Sequence, residues 1–201
     1  MVNEFWSVFS SNALKFFFLY TPFFALSMFL CITEDMEERE RRRLSWRIML
    51  ATFSVCLVLL FLGRAIFSLF GITLDAFRVG VGTILLLSAI GLAKGRTVEV
   101  PSGKDDDITI VPMAIPVIVG PATIGTILVL GTELATPLAK MACILAMAAA
   151  CTALWAMLFL ATSLERRFGR RVFAILSRIT GLVLASLASQ LILSGITGFL
   201  R

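Results

Sequence analysis

The sequence predicts an all-α membrane protein with six transmembrane helices. Hydrophobic residues make up 59% of its 201 residues and charged residues only 15%, and its mean hydropathy is +0.96. Soluble domains are about 45–50% apolar and about 25% charged. A single soluble core cannot bury this much apolar surface, so we expect lipid to surround the chain.

Six apolar stretches are long enough to be spans, since about 20 apolar residues cross about 30 Å of hydrocarbon. Charged residues bound most of these stretches, and Gly71 marks a short turn between the second and third. Asp75 and Glu133 fall near the outer interface, so no uninterrupted span carries a central acid. The predicted spans are residues 5–33, 45–68, 72–93, 108–132, 138–163 and 174–199.

Positive charge is distributed unevenly among the loops. The loops after spans 1, 3 and 5 hold 13 of the 18 Lys and Arg residues, whereas Lys15 and four others lie on the opposite side. The positive-inside rule therefore places these three loops in the cytoplasm and both termini in the periplasm. The net charge of +5 is explained by this topology and by anionic lipid headgroups, and we expect no nucleic-acid partner.

The reactive residue types do not form a catalytic or metal-binding pattern. The chain has no histidine, and its four cysteines lie in apolar runs without a CxxC motif. Such cysteines are typical of buried, inert thiols rather than of metal sites or disulfides. The sequence therefore predicts neither an enzyme nor a resident metal or cofactor.

A polar segment divides the chain into two groups of three spans. We assign residues 1–94 to a first three-helix repeat, residues 95–107 to a cytoplasmic linker and residues 108–201 to a second repeat. Because each half has three spans, the second half enters the membrane from the opposite side. An alignment at an offset of 99 residues pairs Pro22 with Pro121. A 3+3 inverted repeat is a common plan of secondary transporters.

Each half has a proline inside its first span. Proline disrupts a helix interior but suits the first turn of a new helix, and Thr21 and Gly120 can precede that helix as N-caps. We therefore predict that helices 1 and 4 are broken near the midplane, the alternative being two kinked but continuous helices. Free N–H groups at the breaks would attract an anion such as a carboxylate. The predicted substrate-binding residues are Thr21, Pro22, Phe23, Phe24, Gly120, Pro121, Ala122 and Thr123.

Several polar residues occur on the last predicted span. Ser186, Ser189 and Gln190 share one face, and Ser194 lies close by. They either line a cavity or form hydrogen bonds with neighbouring helices.

The segment VPMAIPVIVGPATI at residues 111–124 resembles the signature of the MarC family of bacterial inner-membrane proteins. The runs YTPFFALSMFLCIT and FGITLDAFRVGVGTILL resemble two further segments of that family, and the similarity extends along the whole chain. The family includes SnatA-type transporters. The resemblance implies six spans in a 3+3 inverted repeat, a multi-pass location in the bacterial inner (plasma) membrane, and transport of small neutral amino acids such as glycine and alanine.

The chain departs from the family in its first half. The family's Asn-Pro is Thr21-Pro22 here, and Phe23 and Phe24 lie where the family has small or polar residues. We therefore expect the second half to dominate substrate binding. The leading hypothesis is a secondary transporter with coupling to H⁺ or Na⁺ left open. The alternatives are a passive channel or facilitator and a non-transporting protein whose site is occluded.

Overall fold

The computed structural model describes residues 2–34, 36–95, 118–134 and 136–200, and these residues are helical apart from short connections. Residues 96–117, which include most of the predicted linker and the start of predicted span 4, lie outside the described residues. The seven described helices are α1 (Val2–Leu19), α2 (Pro22–Ile32), α3 (Glu38–Phe70), α4 (Leu74–Ala93), α5 (Pro121–Glu133), α6 (Pro137–Phe159) and α7 (Ala161–Phe199). The last of these is kinked at Gly169, which has the non-helical φ of 73° and ψ of 157°.

Five described segments are long and apolar enough to cross a membrane. They correspond to predicted spans 1, 2, 3, 5 and 6, and they are Phe5–Ile32, Glu38–Gly63, Leu74–Ala93, Pro137–Phe159 and Arg171–Phe199. The 13 residues of α5 form the second part of predicted span 4. At 1.5 Å per residue, α5 is about 20 Å long and cannot cross about 30 Å of hydrocarbon alone. The multi-span, all-helical fold class is confirmed for these residues.

Local sequence explains where several helices begin and end. Gly71 ends α3 with φ 62°, a left-handed conformation that glycine adopts without strain, so the predicted turn is confirmed. Thr73 caps α4 by accepting a hydrogen bond from the N–H of Ala76, and Thr136 caps α6 by accepting one from Ala139. These threonines satisfy N–H groups that the first helical turn leaves unpaired.

The bundle has two chemically different ends. The end that carries the start of α1, the end of α7 and the Gly71 turn is called the termini side. The opposite end, called the arginine-rich side, carries the starts of α3 and α7. There the Arg41 guanidinium donates to the Thr162 hydroxyl and to the Thr33 carbonyl oxygen, each at 2.6 Å, and so joins α3, α7 and the end of α2.

The helices α4 and α7 pack closely and antiparallel through two glycines. A Cβ placed on Gly82 would lie 3.0 Å from the carbonyl oxygen of Ala188. A Cβ placed on Gly181 would lie 2.8 Å from the carbonyl oxygen of Ala89. Because these neighbours are backbone atoms, only glycine permits this separation. The two helices therefore form a closely packed pair.

The cysteine prediction is correct for three residues and wrong for one. Cys56, Cys143 and Cys151 are buried free thiols, and the Tyr20 hydroxyl contacts the Cys56 sulfur at 3.7 Å. Cys31, also a free thiol, is exposed on the outer surface of α2. An apolar run does not indicate which of its residues face lipid, because every face of a membrane helix is apolar.

Candidate functional site

The chain leaves helical geometry between α1 and α2. Thr21 has φ 46° and ψ 55°, in the left-handed region that β-branched residues rarely adopt. It occupies the predicted N-cap position, but its side chain makes no capping hydrogen bond. An N-cap side chain reaches the first turn from an extended backbone, which Thr21 does not have. Its hydroxyl oxygen is buried without a hydrogen-bond partner among the described residues.

This strain gives a stability prediction. Thr21→Asn should stabilise the protein by about 1 kcal/mol, because asparagine tolerates a left-handed backbone better than threonine does. The thermal unfolding of the detergent-purified variant measures the change. Thr21→Val, which keeps the β-branched side chain, is the matched control. If the asparagine variant is no more stable than wild type, and no more stable than the valine variant, Thr21 is not strained.

The second predicted motif lies at the start of α5. Gly120 precedes Pro121 with φ −75° and ψ 173°, an extended conformation open to any residue. Its carbonyl oxygen accepts the first hydrogen bond of α5 from the N–H of Ile124, at 3.0 Å. The predicted break of helix 4 requires a helix before Gly120, and residues 108–117 of that predicted span lie outside the described residues.

The structure brings the two motifs together. The Thr123 hydroxyl lies 3.2 Å from the carbonyl oxygen of Leu19, the last residue of α1, and 3.3 Å from that of Ile118. Ala122 belongs to a buried apolar cluster beside this contact, here called the central cluster. The cluster consists of Leu19, Leu85, Ala89, Ala122, Leu184 and Ala188.

The predicted aromatic residues pack into the bundle rather than around a cavity. Phe23 and Phe24 are partly buried against the main apolar core, and the Phe23 ring meets Phe17 edge to face at 6.2 Å. Pro22 is buried and Pro121 is exposed. Thr21 and Gly120 are partly buried.

A cavity of about 260 Å³ opens on the termini side between α1, α4, α5 and α7. None of the eight predicted binding residues lines it. Its floor includes Leu19 and Leu85 of the central cluster, so the cavity reaches the end of α1. Its polar lining residues are Lys15, Arg78, Thr126, Glu133, Gln190 and Ser194.

An ion-pair cluster bridges α4 and α5 at the mouth of the cavity. Arg78 donates through Nη1 to Asp75 Oδ1 at 2.6 Å and through Nη2 to Glu133 Oε1 at 2.5 Å. The Arg78 side chain is only 18% exposed, whereas that of Glu133 is 39% exposed. The sequence placed Asp75 and Glu133 near the outer interface and indicated no specific role for them. In the structure, both carboxylates form ion pairs with Arg78.

Sequence reasoning missed Lys15 as a cavity residue. It was grouped with the charges of the outer side, but it lies within the candidate span Phe5–Ile32, four residues before the end of α1. A charged residue inside a span usually faces a cavity or a partner, so the position of Lys15 within the first span could have indicated the cavity. Of the four polar residues noted on the last span, only Gln190 and Ser194 line the cavity.

Comparison with known proteins places the chain among integral membrane proteins. Residues 6–200 match the family model described as MarC family integral membrane protein. The chain is 30% identical over 191 residues to a UPF0056 membrane protein of Methanocaldococcus jannaschii, covering 92% of this chain and 93% of that one. It is 27% identical over 208 residues to a UPF0056 membrane protein of Aquifex aeolicus, covering 100% and 97%. It is also 27% identical over 195 residues to the UPF0056 inner membrane protein YhgN of Escherichia coli K12, covering 95% and 97%. No solved structure matches the chain. The match over nearly its full length shows that the chain belongs to the MarC family of integral membrane proteins.

Proposed function

We propose that the protein is an inner-membrane secondary transporter of small neutral amino acids, such as glycine or alanine, or of similar small solutes. The observation that carries the proposal is the cavity of about 260 Å³ on the termini side. Two of its lining residues, Gln190 and Ser194, are exposed, and two others, Leu19 and Leu85, belong to the central cluster. A partly polar cavity that lies in one half of the bundle and ends at an apolar cluster suits alternating access.

The packing of α4 and α7 supports a 3+3 inverted repeat. At the sequence offset of 99 residues, Gly82 corresponds to Gly181 and Ala89 to Ala188. The two close approaches, from Gly82 to Ala188 and from Gly181 to Ala89, exchange under this offset. Such an exchange between antiparallel spanning helices is what a two-fold axis in the membrane plane produces.

One further pair of helix contacts follows the same relation. The half-helix α2 packs against α7, and α5, its counterpart in the second half, packs against α4. We propose on this basis that helices 1 and 4 are both broken and that the repeats comprise residues 1–94 and 108–201. Rocking of the α4–α7 pair against the remaining helices would then open the arginine-rich side and close the cavity.

We propose that the arginine-rich side is cytoplasmic and that both termini are periplasmic, because basic loops remain inside. Ser68 and Arg167 are exposed near opposite ends of the bundle. In a Cys31→Ser background, a membrane-impermeant maleimide should label Ser68→Cys in spheroplasts, and Arg167→Cys only after permeabilisation. The reverse labelling pattern would invert the proposed topology.

Uptake into proteoliposomes tests the proposed function. Labelled glycine and alanine are supplied with an imposed H⁺ gradient, an imposed Na⁺ gradient or neither, and protein-free liposomes provide the background. The transporter proposal requires accumulation above the external concentration with one of the gradients. Equilibration alone indicates a facilitator, and uptake at background level indicates a non-transporting protein.

A further inference from the structure

Lys15 carries a positive charge in the cavity that no described carboxylate neutralises. It is partly buried, lies about 6 Å along the helix axis before Leu19, and has no ion pair with any described carboxylate. Arg78, the other cation of the cavity, contacts two carboxylates. A charged side chain within a membrane span is costly unless it is paired or hydrated, so Lys15 requires either the water of this cavity or an anionic partner.

Glu133 supplies a negative charge to the same cavity. Arg78 contacts its Oε1, and its Oε2 accepts no hydrogen bond from the described residues. Arg78 keeps Asp75 as a second partner, so it remains paired if Glu133 also binds a cation. The cavity therefore holds one available cation and one available carboxylate oxygen.

The rest of the cavity limits the size of its ligand. Its volume of about 260 Å³ corresponds to about nine waters at roughly 30 Å³ each. The Thr126 hydroxyl donates to the Ala122 carbonyl oxygen at 2.9 Å and can still accept a hydrogen bond. Leu19 and Leu85 form an apolar floor. These features fit a ligand with two charged ends and a short apolar part.

We propose that this cavity is the binding site for a small zwitterion, with the Lys15 ammonium binding its carboxylate and Glu133 binding its ammonium. The inference rests on the proposed function in taking this zwitterion to be the transported solute. It places the substrate in the cavity on the termini side rather than on the N-terminal N–H groups of α2 and α5. Arg78 acts as a positioning residue that holds Glu133 at the cavity mouth.

Equilibrium binding of labelled glycine to the purified full-length protein in detergent is the first test. Lys15→Met should weaken binding about 10- to 100-fold, because it removes a charge-assisted hydrogen bond from a partly buried site. Lys15→Arg should retain most of the affinity. Lys140→Met is the matched control, since Lys140 is also partly buried near the termini side but lines a separate, smaller pocket with Leu60 and Gly131.

Competition of unlabelled solutes with labelled glycine for the wild-type protein tests, without a mutation, whether the ligand needs both charges. Alanine should displace glycine, whereas acetate and methylamine, which each lack one charge, should bind at least about 10-fold more weakly. Glu133→Gln should weaken glycine binding and leave the weak acetate binding unchanged. Methylamine or acetate that competes as well as glycine would overturn the proposal.

Transport separates this inference from the proposed function. If the wild type binds glycine in a Lys15-dependent way but does not move it across proteoliposomes, the site is supported and the transporter function is wrong. If the wild type transports glycine and Lys15→Met leaves KM unchanged, the site is wrong and the function stands. A wild type without saturable binding of glycine or alanine also overturns the site.

Discussion

Gly181→Val is expected to prevent assembly of the folded bundle. A Cβ on Gly181 would lie 2.8 Å from the carbonyl oxygen of Ala89 and 2.8 Å from the amide nitrogen of Ala93. Both neighbours belong to the helical backbone of α4 and cannot move without separating the two helices. Overpacking in a well-packed core costs about 1–3 kcal/mol, and valine adds two further methyl groups beyond the clash.

The yield of monodisperse protein on size exclusion and the thermal unfolding midpoint measure this effect. Gly80→Val is the matched control on α4, because a Cβ there meets nothing within 4 Å. Gly82→Val should have a smaller effect than Gly181→Val, since the backbone atoms nearest to its Cβ lie at 3.0 and 3.1 Å rather than at 2.8 Å. Equal stability of the Gly181 and Gly80 variants would contradict the close packing of α4 and α7.

Gln190→Trp is expected to abolish transport while leaving the protein folded. Gln190 is exposed and lines the cavity, so the indole has room to enter a space of about 260 Å³ that is open on one side. Tryptophan is among the largest side chains, and we expect it to exclude a small solute and its hydrating water. Glycine uptake should fall to the level of protein-free liposomes.

The adjacent residue provides the control for this variant. Ser189 is exposed, and its hydroxyl donates to the carbonyl oxygen of Ala185 on its own helix, but it does not line the cavity. Ser189→Trp should therefore retain transport, since its indole points to the lipid rather than to the cavity. Full glycine uptake by folded Gln190→Trp would show that the cavity is not on the solute's path.

The spans and some of their boundaries follow from local patterns in the sequence. Charge-free apolar runs located five described spans, and Gly71 located the turn before α4. The α3 helix begins at Glu38, seven residues before the predicted start. The Arg42–Glu38 ion pair, one turn apart, helps to stabilise this extension beyond the apolar span.

The composition of the cavity did not follow from local patterns. Arg78 and Glu133 are 55 residues apart and meet only because α4 packs against α5. The inward face of α7 was also undetermined, because an apolar helix carries little amphipathic signal. Close approach at Gly181 sets the rotation of α7 and turns Gln190, rather than Ser189, towards the cavity.

At the Thr21-Pro22 motif, the sequence located the start of α2 but not the backbone conformation that precedes it. Pro22 begins α2 as its position in the span indicated. The left-handed backbone of Thr21 depends on how the chain re-enters the helix after Tyr20, which residue propensities do not specify. The sequence also did not indicate that the Thr123 hydroxyl would donate to the carbonyl oxygen of Leu19, at the end of α1.

Counterflow of glycine tests most directly whether one cavity carries solute across the membrane. Proteoliposomes loaded with unlabelled glycine are diluted into a trace of labelled glycine without any ion gradient. An alternating-access carrier predicts a transient accumulation of label above equilibrium, which Gln190→Trp abolishes and Ser189→Trp retains. Monotonic equilibration of label, or uptake no greater than in protein-free liposomes, would contradict the proposed transport mechanism.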